Sequence, residues 1–162
     1  MSSNNTKQTA TFGAGCFWKT EQEFINVSGV TKTSVGYMGG DFVNPSYLDV
    51  VARITGHAEV AQIEYDPTIV SYEELLDIFW QMHDPTSLNR QGADRGEQYR
   101  SVIFYHTPAQ EQTARRLKLQ LQQSGKYQRE IVTEIKPAKE YYLATEEHQQ
   151  YLLKKKNKAN HF

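Results

Sequence analysis

Residues 9–29 read TATFGAGCFWKTEQEFINVSG, a strand that turns into a helix with the chain's single cysteine at the junction. Thr9 to Gly15 is a short run of small and apolar residues with strand character. From Cys16 to about Val27 the spacing changes. Phe17, Trp18, Phe24 and Ile25 form an apolar stripe, and Lys19, Glu21 and Glu23 are polar between them. That is helical periodicity, and Ser28-Gly29 ends it. The Gly13-Ala14-Gly15 run lets backbone and ligand approach closely beside the thiol.

Outward from this unit, strands and helices mix without regular alternation. Val30–Met38 is a second strand, and Gly39-Gly40 and Asn44-Pro45 mark a loop. Ser46–Ala52 is a short helix. His57–Tyr65 is a clearer strand, with Ala61, Ile63 and Tyr65 on one face and Gln62 and Glu64 on the other. Glu59 falls on the apolar face. Ser71-Tyr72-Glu73-Glu74 has capping-box spacing and opens a helix buried through Leu75, Leu76, Phe79 and Met82. Asp84–Glu97 is polar and aperiodic, a long loop of the kind that carries function. Gln98–Tyr105 is a strand. Thr107-Pro108-Ala109-Gln110 then starts a helix that runs to Ser124-Gly125. Glu130–Lys136 is the last strand and Glu146–Lys155 the last helix. The pattern predicts an α+β fold, a two-layer sandwich of a mixed β-sheet with packed helices and long active-site loops. Residues 1–8 read as a flexible polar tail, 9–153 as one catalytic domain, and 154–162 as a basic, solvated end.

The length of 162 residues suits one domain that buries about two-thirds of its unfolded surface. A single cysteine gives no intrachain disulfide and fits a reducing compartment. The net charge of −1 offers no electrostatic case for nucleic acid. No apolar run approaches the ~20 residues of a membrane span, and the first residues lack an apolar signal core. The expectation is a soluble cytoplasmic protein without membrane or nucleic-acid partners.

Two residues carry candidate chemistry. Cys16 sits at a helix start, where free N–H groups and the helix dipole stabilise a thiolate. Such sites lower a cysteine pKa to about 3.5–7.5. The competing reading is a small buried hydrophobe. Glu59, a carboxyl on an apolar face, has its pKa raised by desolvation and can serve as a general acid. The competing reading is an edge glutamate at a frayed strand start. His57, His83, His106 and His148 are scattered without metal-ligand spacing. A Cys/His dyad remains open, because such partners meet only in space.

These residues lie in an ordered series of blocks that resembles the type A peptide methionine sulfoxide reductases. The series runs from Gly15-Cys16-Phe17-Trp18, with Glu21 and Phe24, through Gly29-Val30, Val35-Gly36-Tyr37 and Gly39-Gly40. Asn44-Pro45-Ser46-Tyr47, Thr55-Gly56-His57-Ala58-Glu59 and Tyr65-Asp66-Pro67 follow. Phe79-Trp80, His83-Asp84-Pro85-Thr86, the long block from Asn89 to Ser101, and His148-Gln149-Gln150-Tyr151-Leu152 complete it. It spans about residues 11–152.

The resemblance implies roles. Cys16 would attack the sulfoxide sulfur, and Glu59 would protonate the oxygen. Tyr47 and Tyr99 would hydrogen-bond that oxygen. Phe17 and Trp18 would seat the methyl group, and Asp94 would accept from the substrate's amide, with His148 and Tyr151 nearby. The products would be methionine and a Cys16 sulfenic acid. The family takes the S epimer, free or in proteins, in repair after oxidative stress, and uses no metal or organic cofactor. Three places depart from its pattern. Lys19 replaces a glycine, and Val51-Ala52-Arg53-Ile54 lacks the usual Cys and Gly. Residues 153–162 contain none of the resolving cysteines that many members carry. The expected cycle is therefore closed by an external thiol: thioredoxin, glutathione with glutaredoxin, or a small dithiol. The rival readings are a cysteine hydrolase, a thiol-based redox sensor, and an RNA-binding module using Phe104 and Tyr105.

Overall fold

A computed structural model describes residues 7–159. Residues 1–6 of the expected tail and 160–162 of the expected basic end lie outside the described residues. Strand β1 (Gln8–Ala14) runs through Gly15 and Cys16 into α1 (Phe17–Phe24), as the 9–29 stretch anticipates. Then come β2 (Val30–Met38), α2 (Tyr47–Val51), β3 (Ala58–Tyr65) and α3 (Tyr72–Met82). Two short strands follow, β4 (Arg90–Gln91) and β5 (Asp94–Arg95). The chain ends with β6 (Ser101–Tyr105), α4 (Pro108–Gln123), β7 (Glu134–Pro137), β8 (Tyr142–Leu143) and α5 (Tyr151–Ala159).

Six strands form one mixed sheet in the order β7-β6-β1-β3-β2-β8. Only the β6–β7 pair is parallel. Ala10, Phe12, Ile63, Tyr65 and Ile103 face the helices and are buried with Phe24, Leu75, Leu76, Phe79 and Ala114. Phe12 lies at the centre, its ring 5.4 Å from Phe24 and 5.2 Å from Phe79. Each such ring contributes on the order of 2–3 kcal/mol by leaving water. On the other face, Met38, Ala58, Val60, Val102 and Phe104 pack under Ala138 and Tyr141 of the returning chain. The remainder of that face is polar. Thr11 there contacts Gln62 at 3.1 Å and His106 at 2.8 Å.

The capping signals work locally as read. Ser71 Oγ accepts from the Glu74 N–H at 3.0 Å, and Glu74 returns the bond to the Ser71 N–H at 2.9 Å. Thr107 Oγ1 accepts from the Gln110 N–H at 3.1 Å. Several boundaries differ from expectation. The segment read as one loop at 84–97 contains the β4–β5 hairpin, turned at Gly92 with φ +58°. Glu97–Tyr99 is a single 3-10 turn, so the strand starts at Ser101 rather than Gln98. β7 starts at Glu134, not Glu130. The last helix is broken: Glu146–His148 is a 3-10 turn, Gln150 has φ +50°, and α5 starts only at Tyr151.

Antiparallel pairing places the site. β1 and β3 align with Phe12 opposite Ala61, which brings the end of β1 beside the start of β3. Gly15, with φ +98°, then swings the chain from β1 into α1 and sets Cys16 against β3. A left-handed φ of this kind disfavours any side chain. An added Cβ here would also stand 3.0 Å from Gln91.

Candidate active site

Glu59 is 1% exposed, in the central strand β3, so it is not a frayed edge residue. Its Oε1 accepts from the Phe17 N–H, the first amide of α1, at 3.1 Å. Its Oε2 is buried with no hydrogen-bond partner among the described residues. Burial pushes this carboxyl up to about 7, the charge of Asp94 adds to the rise, and the Phe17 N–H opposes it. A carboxyl with one bare, dry oxygen is suited to hold a proton near neutrality.

Cys16 is half-buried just before α1 and makes no side-chain capping bond. The expected depression of its pKa is absent, and the thiol is pushed up to about 11. Burial is the main cause and the charge of Glu59 the next. The N–H groups of Trp18 and Lys19 pull the other way without prevailing. The helix start therefore acts as expected, but the carboxylate beside it and the loss of water outweigh it. In the resting site the sulfur is a thiol.

The structure brings the other expected residues to the same place. Tyr47 is the first residue of α2, set by a capping box between Ser46 and Asp49. Asp94 sits half-buried on β5, and Tyr99 closes the 3-10 turn before β6. Tyr99 is pushed up to about 12, first by burial and then by Glu59, with Tyr47, Asp94 and Cys16 contributing. Burial, Glu59 and then Cys16 also raise Tyr47. Both phenols thus remain O–H donors at neutral pH.

An aromatic wall stands beside the thiol. Phe17 is fully buried, 6.5 Å from Trp18 and 5.5 Å from His148, ring to ring. Trp18 stacks on Tyr151 at 3.9 Å and donates from Nε1 to His148 Nδ1 at 3.1 Å. Tyr47 stacks on His148 at 4.7 Å. A cleft of about 480 Å³ opens on the Tyr47 and His148 side of this wall, lined also by Tyr37, Leu48 and Leu143 and by neither Cys16 nor Glu59. Burial lowers the His148 pKa, with Glu147 opposing, so its ring stays neutral and can accept from Trp18.

Tyr37 was not foreseen as a site residue. It faces Glu59 directly across the β2–β3 pair, and its ring lies 5.6 Å from Phe17. Its hydroxyl is buried without a partner among the described residues. Only the register between the two strands reveals this pairing, and periodicity does not contain it. Of the remaining histidines, His57 binds Gly40 N–H at 2.9 Å, His83 bonds Ser101 at 2.7 Å, and His106 bonds Thr11. Among the described residues no histidine bonds the sulfur of Cys16, which removes the geometric basis for a Cys/His dyad. No three His, Cys, Asp or Glu side chains among them converge as a metal site.

A sequence model described as peptide methionine sulfoxide reductase matches residues 8–162. The chain belongs to this family. The peptide methionine sulfoxide reductase MsrA 1 of Nostoc sp. is 65% identical over 147 residues, 91% of this chain and 90% of that protein. The fold matches reduced Mxr1 of Saccharomyces cerevisiae with a TM-score of 0.86 at 36% identity, covering 91% of this chain and 85% of that one. The same yeast protein in complex with Trx2 matches with a TM-score of 0.65 at 26% identity, covering 93% and 88%. The blocks that suggested the family thus surround one thiol, one dry carboxyl and one aromatic wall. Family membership makes the chain an oxidoreductase that reduces methionine sulfoxide.

Proposed function

We propose that this chain, a single catalytic domain over residues 9–153, reduces methionine-S-sulfoxide through Cys16 and is reset by an external thiol. The observation that carries the reading is Glu59: one oxygen bound to the α1 amide, the other bare, and the whole carboxyl beside the thiol. Glu59 gives its proton to the sulfoxide oxygen, which is otherwise a poor leaving group. Tyr47 and Tyr99 donate to the same oxygen. Cys16 Sγ attacks the substrate sulfur, and the proton it sheds returns to Glu59. The oxygen then moves as hydroxyl from the substrate sulfur to Cys16 Sγ while the transient bond between the two sulfurs breaks, its electron pair returning to the methionine sulfur. The substrate sulfur is reduced by two electrons, the cysteine sulfur is oxidised by two, and the products are methionine and a sulfenic acid.

Phe17 and Trp18 seat the methyl group, with His148 and Tyr151 completing the wall, and Asp94 accepts from the substrate's amide. Stereochemistry for the S epimer rests on the family resemblance. One thiol from outside attacks the sulfenic sulfur and releases water, and a second releases Cys16 from the mixed disulfide. Cys16 is the only cysteine in the sequence, which supports an external donor. The yeast relative solved with Trx2 favours thioredoxin over glutathione with glutaredoxin. Such a donor places the protein in a reducing compartment such as the cytoplasm, where it repairs oxidised methionine. Among the described residues no helix is long and apolar enough to cross a membrane.

The test is a single-turnover assay. Reduced protein is mixed with excess methionine-S-sulfoxide and no thiol, and the expected yield is about one methionine per chain. A 1,3-dione should then trap Cys16 as a mass adduct. Sustained turnover without any reductant would refute the scheme. Comparing thioredoxin with glutathione and glutaredoxin as donors ranks the partners.

A further inference from the structure

The reaction leaves one buried carboxyl of α1 unused. Glu21 is 1% exposed and lies one helical turn beyond Phe17 and Trp18. Three donors converge on it. Its Oε1 accepts from the Gln150 N–H at 2.9 Å. Its Oε2 accepts from Gln150 Nε2 at 2.7 Å and from Thr33 Oγ1 at 2.6 Å. A carboxylate, with two acceptor oxygens and no hydrogen of its own, satisfies all three in this arrangement.

Thr33 belongs to β2, and the two Gln150 donors belong to the segment that carries half of the aromatic wall. After β8 the chain returns along β2, where the Gln149 side chain is anchored. Its Nε2 donates to the Val35 and Ala144 carbonyls, each at 2.9 Å, and its Oε1 accepts from the Val35 N–H at 2.8 Å. That anchor ties the segment to the sheet and not to α1. The segment's ties to α1 are the Trp18–His148 bond, with Trp18 stacked on Tyr151, and the buried Glu21 carboxylate. The carboxylate also holds Gln150 in a left-handed conformation, φ +50°, which disfavours a non-glycine residue. That turn aims its N–H at the carboxylate and places His148 and Tyr151 on either side of it, both against Trp18.

We propose that Glu21 is a positioning residue: by latching the Gln150 turn to α1 it closes His148 and Tyr151 on Trp18, so that affinity for the sulfoxide side chain depends on it while the chemical step does not. The proposal rests on reading the aromatic wall as the methyl seat. Glu21 touches neither the sulfur nor the Glu59 carboxyl, and its effect runs through the wall alone. Glu21→Gln keeps the shape but turns one acceptor into a donor facing donors. Gln150→Ala breaks the latch from the other side.

The test uses the full chain in a Trp80→Phe background, where Trp18 is the only tryptophan of the original two. Glu21→Gln and Gln150→Ala should each raise KM for methionine sulfoxide about tenfold, near 1.4 kcal/mol of binding. The kcat should stay within about threefold. Acrylamide should quench Trp18 at least about twice as efficiently, and the double variant should be no worse than either single one. A KM within about twofold of the parent in Gln150→Ala, and in Glu21→Gln where it folds, overturns the proposal. Tyr151→Ala then locates the fault. A raised KM in that variant leaves the methyl seat standing and removes only the latch. An unchanged KM removes the seat as well.

Discussion

Replacing Glu59 with glutamine should make this protein more stable in alkaline solution while removing its activity. The carboxyl titrates at about 7 in the fold against 4.5 in its ordinary state, chiefly because burial strips it of water. Because the folded value is raised, the favourable contribution of the protonated form is complete below about 4.5 and lost as pH climbs through about 7. Above that window the fold carries an ionised carboxylate at a cost of about 3 kcal/mol. Glutamine keeps an oxygen to accept the Phe17 N–H and never ionises. Urea unfolding of both proteins at pH 4.5 and pH 8.5 isolates the effect, since all other titrating groups are shared. The difference between them should swing toward the variant by about 2–3 kcal/mol, a shift of roughly 5–10 °C in Tm for a domain of this size. The variant's kcat/KM should fall at least about a hundredfold, the usual worth of a general acid. A stability difference that does not change with pH would show that Glu59 is not held protonated, and the reasoning would fail.

Cys16 should react slowly with iodoacetamide at pH 7, its rate rising about tenfold per pH unit toward its titration near 11. A fast, pH-independent reaction at neutrality would mean a resting thiolate. Gly15→Ala should cost on the order of 1–2 kcal/mol through its positive φ. It should also lower kcat, because the turn that aims Cys16 must shift away from Gln91. Unchanged Tm and kcat would remove the turn from the site's geometry.

Much of the fold was readable because its signals are local. The Ser71 and Thr107 caps, the Asp66-Pro67 stop and the alternation in β3 act within a few residues of themselves, and all appear where expected. What was not readable depends on distant partners. β4 and β5 are two residues each, too short for any period, and β8 exists because Tyr142 and Leu143 meet β2. The break at Gln150 carries no Gly or Pro, and the Glu21 carboxylate holds it from 129 residues away. Cys16 and Glu59 were legible as residue types in telling positions, but their mutual effect was not. The helix start argues for a low thiol pKa, and only the fold shows Glu59 at the same helix start, reversing that argument. Tyr37 escaped for the same reason, since its relation to Glu59 is a matter of strand register.

A thiol that stays protonated at rest is consistent with the chemistry once protons are followed through it. In the proposed reaction sulfoxide and thiol go in, sulfide and sulfenic acid come out, and no net proton is taken up. The proton lost from Cys16 reappears on the sulfenic hydroxyl. That reaction moves a proton from sulfur to oxygen, and the carrier proposed for it, Glu59 at about 7, has two forms nearly equal in energy at neutrality. When Glu59 is ionised its charge holds the thiol closed, and when it is protonated that repulsion is absent. The form that can acidify the substrate oxygen is therefore also the form that adds no charge against a thiolate, while burial still raises the thiol. In the proposed reaction, a sulfoxide that draws the proton from Glu59 leaves a carboxylate that acts as the base for the proton on Cys16 as the sulfur attacks. Without a sulfoxide in place, burial and the charge of Glu59 in its ionised form keep the sulfur a thiol.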